Sequence, residues 1–473
     1  MELRGALVTP AFVDSHVHAT WTGLLLIGLD LTRCESLPEL LRVVREFAAG
    51  NPDAAIVWGY GWDETRWPQR RPPSRRELDE ALGGRAAYLS RIDGHSAAVT
   101  SSLVAAAHAI AAHAAAADVA ESAGFSPDGP LTGATHHDVR RAAQAAIPAS
   151  QRRAAQRAFL AHAASLGVGY VHECAGPDIS GLDDLRDLLA MDDGRGPRIV
   201  GYWGQPVADA DQARSLLVES GAHGLAGDLF CDGSIGSRTA ALREPYTDAP
   251  TTSGHAYLDA DAIAAHVVAC TQAGVQAGFH VIGDAAIASV IDGFELAERK
   301  VGPATLARRR HRLEHLEMIG AEQAEALTRW GVIASMQPGF DHSWGGDGMY
   351  ASRLGARAAG MNPFAMLARA GVELAFGSDT PVTDLGPWLA VRAAATHRTP
   401  TSALPIGQSL AAHIAGGHRA AGSTDPRAGT LMPGAPASYA IWDTDHLPAI
   451  DGGQPPRCLR TVVDGEPIFG ETP

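Results

Sequence analysis

The chain has 473 residues, of which 46% are hydrophobic and 19% charged, and its formal net charge is -15. This size and composition allow a large buried core and exclude a mainly disordered chain, while the negative charge argues against nucleic acids and membranes as partners. The five cysteines form no C-x-x-C pair, and the apolar run LLLIGL at 24–29 is too short to span a bilayer. We therefore predict a cytoplasmic protein.

The first predicted strand, FVDSHVH at 12–18, carries two histidines one residue apart. Alternate side chains of a strand point to the same face, so His16 and His18 lie together. Two neutral imidazoles on one face suit zinc, iron, nickel or manganese. The pattern predicts half of a metal site, with further ligands downstream.

A long segment, residues 20–147, separates this strand from the next one. It includes the DGHS motif at 93–96 and an alanine-rich stretch at 104–120. Because it is too long for a single strand-to-helix connection, we predict an inserted subdomain.

From residue 148 onwards, apolar runs alternate with helical patterns over 148–167, 259–274 and 320–331. Together with the first strand, the runs make eight predicted strands; the other seven are at 167–175, 198–205, 227–234, 275–284, 311–318, 331–338 and 372–381. Eight strand–helix units predict an α/β fold with a (β/α)8 TIM-like barrel, with a doubly wound open sheet as the alternative. We assign the barrel to 11–19 and 148–424.

The remaining segments are placed around this barrel. The insertion at 20–147 is expected over the barrel mouth. Short strands with glycine turns after residue 425 predict that residues 1–10 and 425–473 form a small, reduced β-sandwich appendage.

Polar residues at four strand ends complete the metal site. The carboxyl ends of barrel strands meet at one mouth, and there we place His16, His18, His280, His315 and Asp379. Four imidazoles and one carboxylate at one mouth are typical of a hydrolytic metal centre.

Several longer motifs agree with this interpretation: FVDSHVH, DGHSAAVTS, LFCDGSIGSRTAALREPY, FHVIGDAA, RLEHLEM, VIASMQP and GSDTPV. With these motifs the chain resembles the amidohydrolase superfamily, and within it the YtcJ-like amidohydrolase family 3, over nearly its whole length. The resemblance implies a metal-dependent hydrolase of C–N bonds in small N-acyl, N-formyl or cyclic amides, built as a distorted barrel with a β-sandwich appendage.

The resemblance also implies roles for the ligands. His16 and His18 would hold the more buried metal, and His280 and His315 the more exposed one. Asp379 would bind the buried metal, take a proton from the attacking water and protonate the leaving nitrogen. We expect one or two divalent ions, with Zn²⁺ as the favoured metal.

The chain departs from the family pattern on the fourth strand. Many two-metal relatives carry a bridging carboxylated lysine there, and this chain has Asp228. We expect aspartate to be too short to bridge and name Glu173, at the end of the second strand, as the substitute. Cys231 is a less favoured ligand. Without a bridge the site would hold one metal.

Four residues are candidates for substrate binding: His95, His172, Asp232 and Arg238. His95, in the DGHS motif, would bond the substrate carbonyl or the leaving group, or else belong to a structural turn. Arg238 would meet a substrate carboxylate or form an ion pair with Glu244.

The second departure is the short segment MELRGALVTP before the first strand. If the sandwich lacks half of its strands, Ile441 and Trp442 would be exposed, and a homodimer would follow.

Two other functions stay open beside the amidohydrolase. One is a mononuclear hydrolase of esters or carbamates, and the other is an inactive barrel that binds a metal or ligand. In all of them the expected partner is a small molecule.

Overall fold

The computed structural model describes residues 5–113, 128–448 and 453–470. Parts of the predicted appendage and of the alanine-rich stretch therefore lie outside the described residues. The chain forms two compact units: the first contains Met1–His18, Leu160–Gly176 and Leu185–Pro473, and the second contains Ala19–Phe159 and Pro177–Asp184. The second unit is longer than the insertion expected at 20–147.

The first unit contains two parallel sheets. One sheet has three strands in the order β2-β8-β9, namely β2 (Phe12–Val17), β8 (Val168–Ala175) and β9 (Arg198–Trp203). The other has four in sequence order: β10 (Gly278–Val281), β11 (Arg312–His315), β12 (Ile333–Met336) and β13 (Glu373–Phe376). These are seven of the eight predicted strands. Together with the helices of the first unit they form a mixed α/β fold.

The remaining prediction, the fourth strand at 227–234, is wrong, because this segment forms no regular strand. The structure has only isolated parallel bridges in this region, which pair Gly224 with β9 and Leu225 and Phe230 with residues 277 and 280. Gly227 has a φ of +76°, a left-handed conformation that interrupts an extended strand. A further parallel bridge joins Val17 to Thr380.

Eighteen α-helices lie in the described residues. Their bounds are Ala19–Ile27, Leu37–Gly50, Arg75–Leu82, Ser101–His113, Gly133–Ala145, Ala149–Ser165, Leu182–Leu189, Ala210–Ser220, Ala260–Ala273, Asp284–Val301, Pro303–Arg309, Ala321–Arg329, Pro338–Trp344, Met349–Leu354, Phe364–Arg369, Pro387–Ala395, Ile406–Ala411 and Gly417–Ala420, labelled α1 to α18 in this order. Short 3₁₀ segments span Glu64–Arg66, Gly355–Gly360 and Pro400–Ser402, and a π-helical turn spans Ala412–Gly416.

The helices predicted at 148–167, 259–274 and 320–331 are confirmed as α6, α9 and α12. The helix predicted at 259–274 is α9, whose first turn is capped by Asp259, since its side chain accepts a hydrogen bond from the Ala262 amide at 2.9 Å. Gly274 ends the helix with a φ of +80°, which glycine adopts without a Cβ clash. The apolar faces of α9 and α10 pack with β10–β13 around the buried core side chains Phe279, Phe294, Leu313 and Trp330.

The first and last strands form a separate four-stranded antiparallel sheet in the order β1 (Leu7–Pro10), β14 (Tyr439–Trp442), β15 (Cys458–Val463) and β16 (Glu466–Phe469). Ile441 and Trp442 are buried, with exposed fractions of 3% and 1%, so the exposure expected of a sandwich that lacks half of its strands is not observed. The Trp442 ring packs edge-on against Phe12 and its Nε1 donates to the Thr9 hydroxyl at 3.0 Å.

The second unit has its own mixed sheet of five strands, β3 (Leu29–Asp30), β4 (Val57–Trp62), β5 (Ala87–Arg91), β6 (Ser96–Val99) and β7 (Leu131–Thr132). Leucines of α2 and α3 pack on this sheet around Trp62 and Trp67. No helix in the described part of the chain combines the length and apolarity needed to cross a membrane.

Candidate metal centre

His16 and His18, at the carboxyl end of β2, face two carboxylates. The Nε2 of His16 lies 3.4 Å from Oδ1 of Asp228 and 3.5 Å from Oδ1 of Asp379. The Nε2 of His18 lies 3.2 Å from Oδ2 of Asp228 and 3.1 Å from the same Asp379 oxygen. The turn after β13 brings Asp379 here, because its amide donates to the His16 carbonyl at 2.8 Å.

His280 and His315 face the same Asp228 from the neighbouring sheet. Oδ1 of Asp228 lies 3.6 Å from Nδ1 of His280 and 3.9 Å from Nε2 of His315. The two imidazole centroids are 4.4 Å apart. The structure thus brings together all five residues expected at the strand ends, although they come from four separate parts of the chain.

Asp228 occupies the centre of this arrangement, with carboxylate oxygens 3.2–3.9 Å from a nitrogen of each of the four histidines. That aspartate is too short to bridge two metals stays a prediction. The backbone explains its reach. A Cβ on Gly204 would lie 2.6 Å from the Asp228 carbonyl carbon, and one on Gly227 would lie 3.0 Å from Cα of Cys174. The two glycines therefore let the Asp228 backbone approach β8 and β9 closely, and its short side chain reaches all four histidines.

The donor set fits a divalent cation. Bonds of about 2.0–2.1 Å place neighbouring ligands of a tetrahedral zinc site about 3.3 Å apart, close to the separations between the histidine nitrogens and the carboxylate oxygens. Nε2 of His16, Nε2 of His315, Oδ1 of Asp228 and Oδ1 of Asp379 are buried and have no hydrogen-bond partner. Buried polar atoms are nearly always paired, so these four atoms indicate a ligand.

Electrostatics at the centre favour a positive charge. Burial acts to lower the pKa of His18, but its contacts with Asp228 and Asp379 outweigh burial and raise the pKa to about 9. Burial acts to raise the pKa of Asp228, and the imidazoles of His16, His18 and His280 hold that pKa well below its usual value. Two carboxylates inside a ring of imidazoles are complementary to a metal ion.

A polar network holds the other ring nitrogens of two histidines. Nδ1 of His16 lies 2.9 Å from Oε2 of Glu314, whose carboxylate accepts two hydrogen bonds from Arg312 at 2.5 and 2.9 Å. Nδ1 of His315 lies 2.7 Å from Oε1 of Gln337. Such partners fix the orientation and tautomer of an imidazole and direct its free nitrogen towards the metal.

Glu173 does not lie in any of the three clusters of closely spaced potential ligands found among the described residues; these are His16–Asp228–His315, His16–His18–Asp379 and His16–Cys174–Glu314. It pairs in register with Gly201, which faces Leu185 and Leu189 of α7. Strand alternation therefore places Glu173 on the face of β8 opposite to Cys174. Bridging by Glu173 stays a prediction. Cys231 belongs to the apolar core.

Two of the four candidate substrate residues are held by internal contacts. The carboxylate of Asp232 accepts hydrogen bonds from the amides of Ile282, Gly283 and Ala241 at 2.8–2.9 Å, and burial raises its pKa to about 6. Nδ1 of His172 lies 3.2 Å from Nη1 of Arg312. Both side chains are therefore held in place by contacts within the protein, and their part in substrate binding stays a prediction.

The other two candidates have contacts of their own. Arg238 forms an ion pair with Asp248 at 2.8 Å, and the pairing expected with Glu244 is wrong. Asp248 also pairs with Arg353 of α14, which anchors the loop. His95 belongs to the second unit, where its amide donates to Oδ1 of Asp93 at 3.1 Å.

The residues that sequence reasoning missed are Arg312, Glu314, Gln337 and Glu317. Arg312 and Glu314 are fully buried in the short strand β11, so two charges at alternate positions of RLEH were the available signal. Glu317 is 3% exposed, and burial raises its pKa to about 8.

The parallel sheets, with imidazoles and carboxylates gathered at their carboxyl ends, define an α/β protein with a candidate hydrolytic metal centre. A family model described as "Amidohydrolase family" matches residues 1–469. The chain belongs to the amidohydrolase family, and the resemblance predicted from its motifs is confirmed.

Three curated relatives match over nearly the whole chain. It is 25% identical to Protein LONG AFTER FAR-RED 3 of Arabidopsis thaliana, covering 99% of this chain and 83% of that protein. It is 25% identical to the putative amidohydrolase YtcJ of Bacillus subtilis, covering 99% and 90%. It is 22% identical to the N-substituted formamide deformylase of Arthrobacter pascens, covering 98% and 89%.

A solved structure supports the fold. An uncharacterized metal-dependent hydrolase from Pyrococcus furiosus superposes with a TM-score of 0.68 at 26% identity, covering 94% of this chain and 88% of that one.

Proposed function

We propose that this protein hydrolyses an amide-type C–N bond in a small molecule, such as an N-acyl, N-formyl or cyclic amide, with one or two divalent ions, Zn²⁺ first among them. The observation that carries the proposal is the ring of four histidines around Asp228 with Asp379 beside it. Membership of the amidohydrolase family and the name of the formamide deformylase relative support the bond type.

The proposal includes a closed barrel. Isolated parallel bridges link β9 to Gly224 and Leu225 to Ala277, and Val17 of the first strand pairs with Thr380 after the last. These bridges support an order in which eight segments follow one another around a ring, with the metal centre at their carboxyl ends.

His16, His18, His280, His315 and Asp228 would hold the metal, with Asp379 as a further ligand. A divalent cation bound there supplies a Lewis acid that lowers the pKa of water and polarises a carbonyl. Glu314 and Gln337 keep the His16 and His315 nitrogens directed at it.

Asp379 moves the proton in this mechanism. Its carboxylate takes one proton from the attacking water while the water oxygen bonds to the carbonyl carbon. As the C–N bond breaks, Asp379 returns that proton to the leaving nitrogen, so the products are an acid and an amine. A placed general acid–base of this kind contributes about 10²–10⁴-fold in rate.

The experiment that tests the proposal measures metal per chain by elemental analysis, on protein purified without chelator or nickel resin, and assays the same protein against N-formyl, N-acyl and cyclic amides. One or two ions per chain with amide turnover is the expected result. One ion with turnover of esters or carbamates alone would support the mononuclear alternative. No metal, with no uptake of added zinc or manganese, would overturn the proposal.

A further inference from the structure

Glu317 is a buried acid just beyond the metal ligand His315. Both His315 and the following Leu316 have positive φ values, 73° and 50°, which turn the chain sharply after β11. The Glu317 side chain, 3% exposed, then accepts a hydrogen bond from the Tyr350 hydroxyl. His280, Asp232 and Asp379 act on its charge, and in the described part of the chain it has no ion pair with lysine or arginine.

Asn362 lies beside this pair. Its backbone amide donates to the Glu317 carbonyl at 2.8 Å, and its side chain lies against the Tyr350 hydroxyl. The residue is 1% exposed, and neither Oδ1 nor Nδ2 of its amide makes a hydrogen bond of ordinary geometry. An amide with both polar atoms unsatisfied in the interior is costly, which points to a ligand group that supplies both a donor and an acceptor.

Aromatic rings connect this cluster to the metal centre. The Phe340 ring stacks on that of His315 with centroids 5.8 Å apart, Trp344 packs on Phe340 at 5.0 Å, and Tyr350 follows Trp344 at 6.3 Å. The cluster is as buried as the metal ligands, which are 0–6% exposed. A substrate buried enough to reach the metal ligands would therefore be buried enough to reach this cluster.

We propose that Glu317, Tyr350 and Asn362 form a subsite that binds a second, uncharged amide or ureido group of the substrate, a proposal that rests on the proposed function. The N–H of such a group would donate to Glu317, and its carbonyl would accept from Nδ2 of Asn362. An ammonium group has only donors and would leave Nδ2 unpaired. An apolar group would leave the polar atoms of the Asn362 amide unsatisfied and would offer no donor to Glu317.

The test compares three small probes that differ only beyond the formamide: N-formylglycinamide, its apolar isostere N-isobutylformamide, and the cationic N-(2-aminoethyl)formamide. Their binding to zinc-loaded protein carrying Asp379→Asn, which blocks turnover, is measured by calorimetry. We expect N-formylglycinamide to bind at least about tenfold more tightly than either of the other two. Asn362→Asp or Glu317→Gln, added to this protein, should abolish most of that preference.

The matched control is Glu373→Gln, at the first residue of β13, which should keep the full preference for N-formylglycinamide. Zinc content is measured for every variant. Equal binding of the three probes, tighter binding of the cation, or no binding at all would overturn the subsite; none of these needs a variant at 317 or 362 to fold. Turnover of the same probes by the wild-type protein is measured in parallel. Selective binding without turnover would support the subsite and reject the proposed function. Turnover without selective binding would support the proposed function and reject the subsite.

Discussion

The Nδ1 of His16 lies 2.9 Å from a carboxylate oxygen of Glu314, and both side chains are completely buried. Because Glu314 is held by Arg312, which also donates to the Ser15 carbonyl at 2.6 Å, the imidazole has one orientation. Its Nε2 is thereby directed at Asp228 and Asp379. The carboxylate thus acts on the metal centre through a histidine that it positions.

Replacing Glu314 should weaken metal binding in the folded protein. In Glu314→Gln the charge that fixes the His16 tautomer is lost, and metal affinity should fall by about 10–100-fold. Competition with a chromogenic chelator at low temperature measures this affinity while the protein stays folded. Glu373→Gln, which breaks pairing with Arg310 and Arg419, is the matched control and should change thermal stability alone. Equal metal affinity in both variants would contradict the role given to Glu314.

Asp379→Asn should abolish turnover and leave most of the metal bound. The amide keeps the shape and an oxygen donor but cannot accept and return the proton. The measurement is turnover at saturating amide together with metal content of the same sample. Asp384→Asn, in the same loop, is the control and should keep its activity. Undiminished turnover in Asp379→Asn would rule out the proton transfer.

Substitutions at Asp228 and at Glu173 should affect the metal content differently. Asp228→Asn removes the central negative charge, so at least one ion should be lost, while Glu173→Gln should keep the wild-type content because its side chain lies on the other face of β8. Elemental analysis of both variants, purified side by side, decides between them. Loss of an ion in Glu173→Gln alone would restore Glu173 as the bridging ligand.

Two buried histidines outside the centre predict acid sensitivity. Burial lowers the pKa of His266 from 6.5 to about 4 and that of His311 to about 3. The unfolded chain therefore binds more protons than the folded one below about pH 6.5. The contribution of these two histidines to the free energy of unfolding should be constant above that pH and fall towards pH 4, by about 1.4 kcal/mol per pH unit and per histidine.

Urea unfolding between pH 4.5 and 7.5 measures this slope. His311→Gln should flatten it, since glutamine can accept the Ala277 amide bond but cannot titrate, whereas His446→Gln on the surface should leave it unchanged. An unchanged slope in His311→Gln would reject the assignment.

The sequence predicted the elements that depend on local pattern. Strand–helix alternation located β2 and β8–β13, and the polar residues that end these strands predicted the meeting of His16, His280, His315 and Asp379. Parallel pairing carries such residues to one edge, so a local pattern was sufficient. The helix at 259–274 was likewise predicted from its local pattern.

What could not be predicted depends on close backbone approach. Asp228 reaches the histidines because Gly204 and Gly227 remove side chains from between two segments, and no one-dimensional pattern reports that distance. The choice of Asp248 as partner of Arg238, and the burial of Trp442 against Phe12, are also contacts between segments distant in sequence.

The order of the ligands along the chain determines when the centre can form during synthesis. His16 and His18 leave the ribosome first, and Asp379 follows roughly 20–70 s later at about 5–20 residues/s. Strand β1 waits still longer, because its partner β14 begins at Tyr439. The nascent protein therefore carries two histidines without their partner ligands for most of its translation, and metal loading belongs to the last stage of folding.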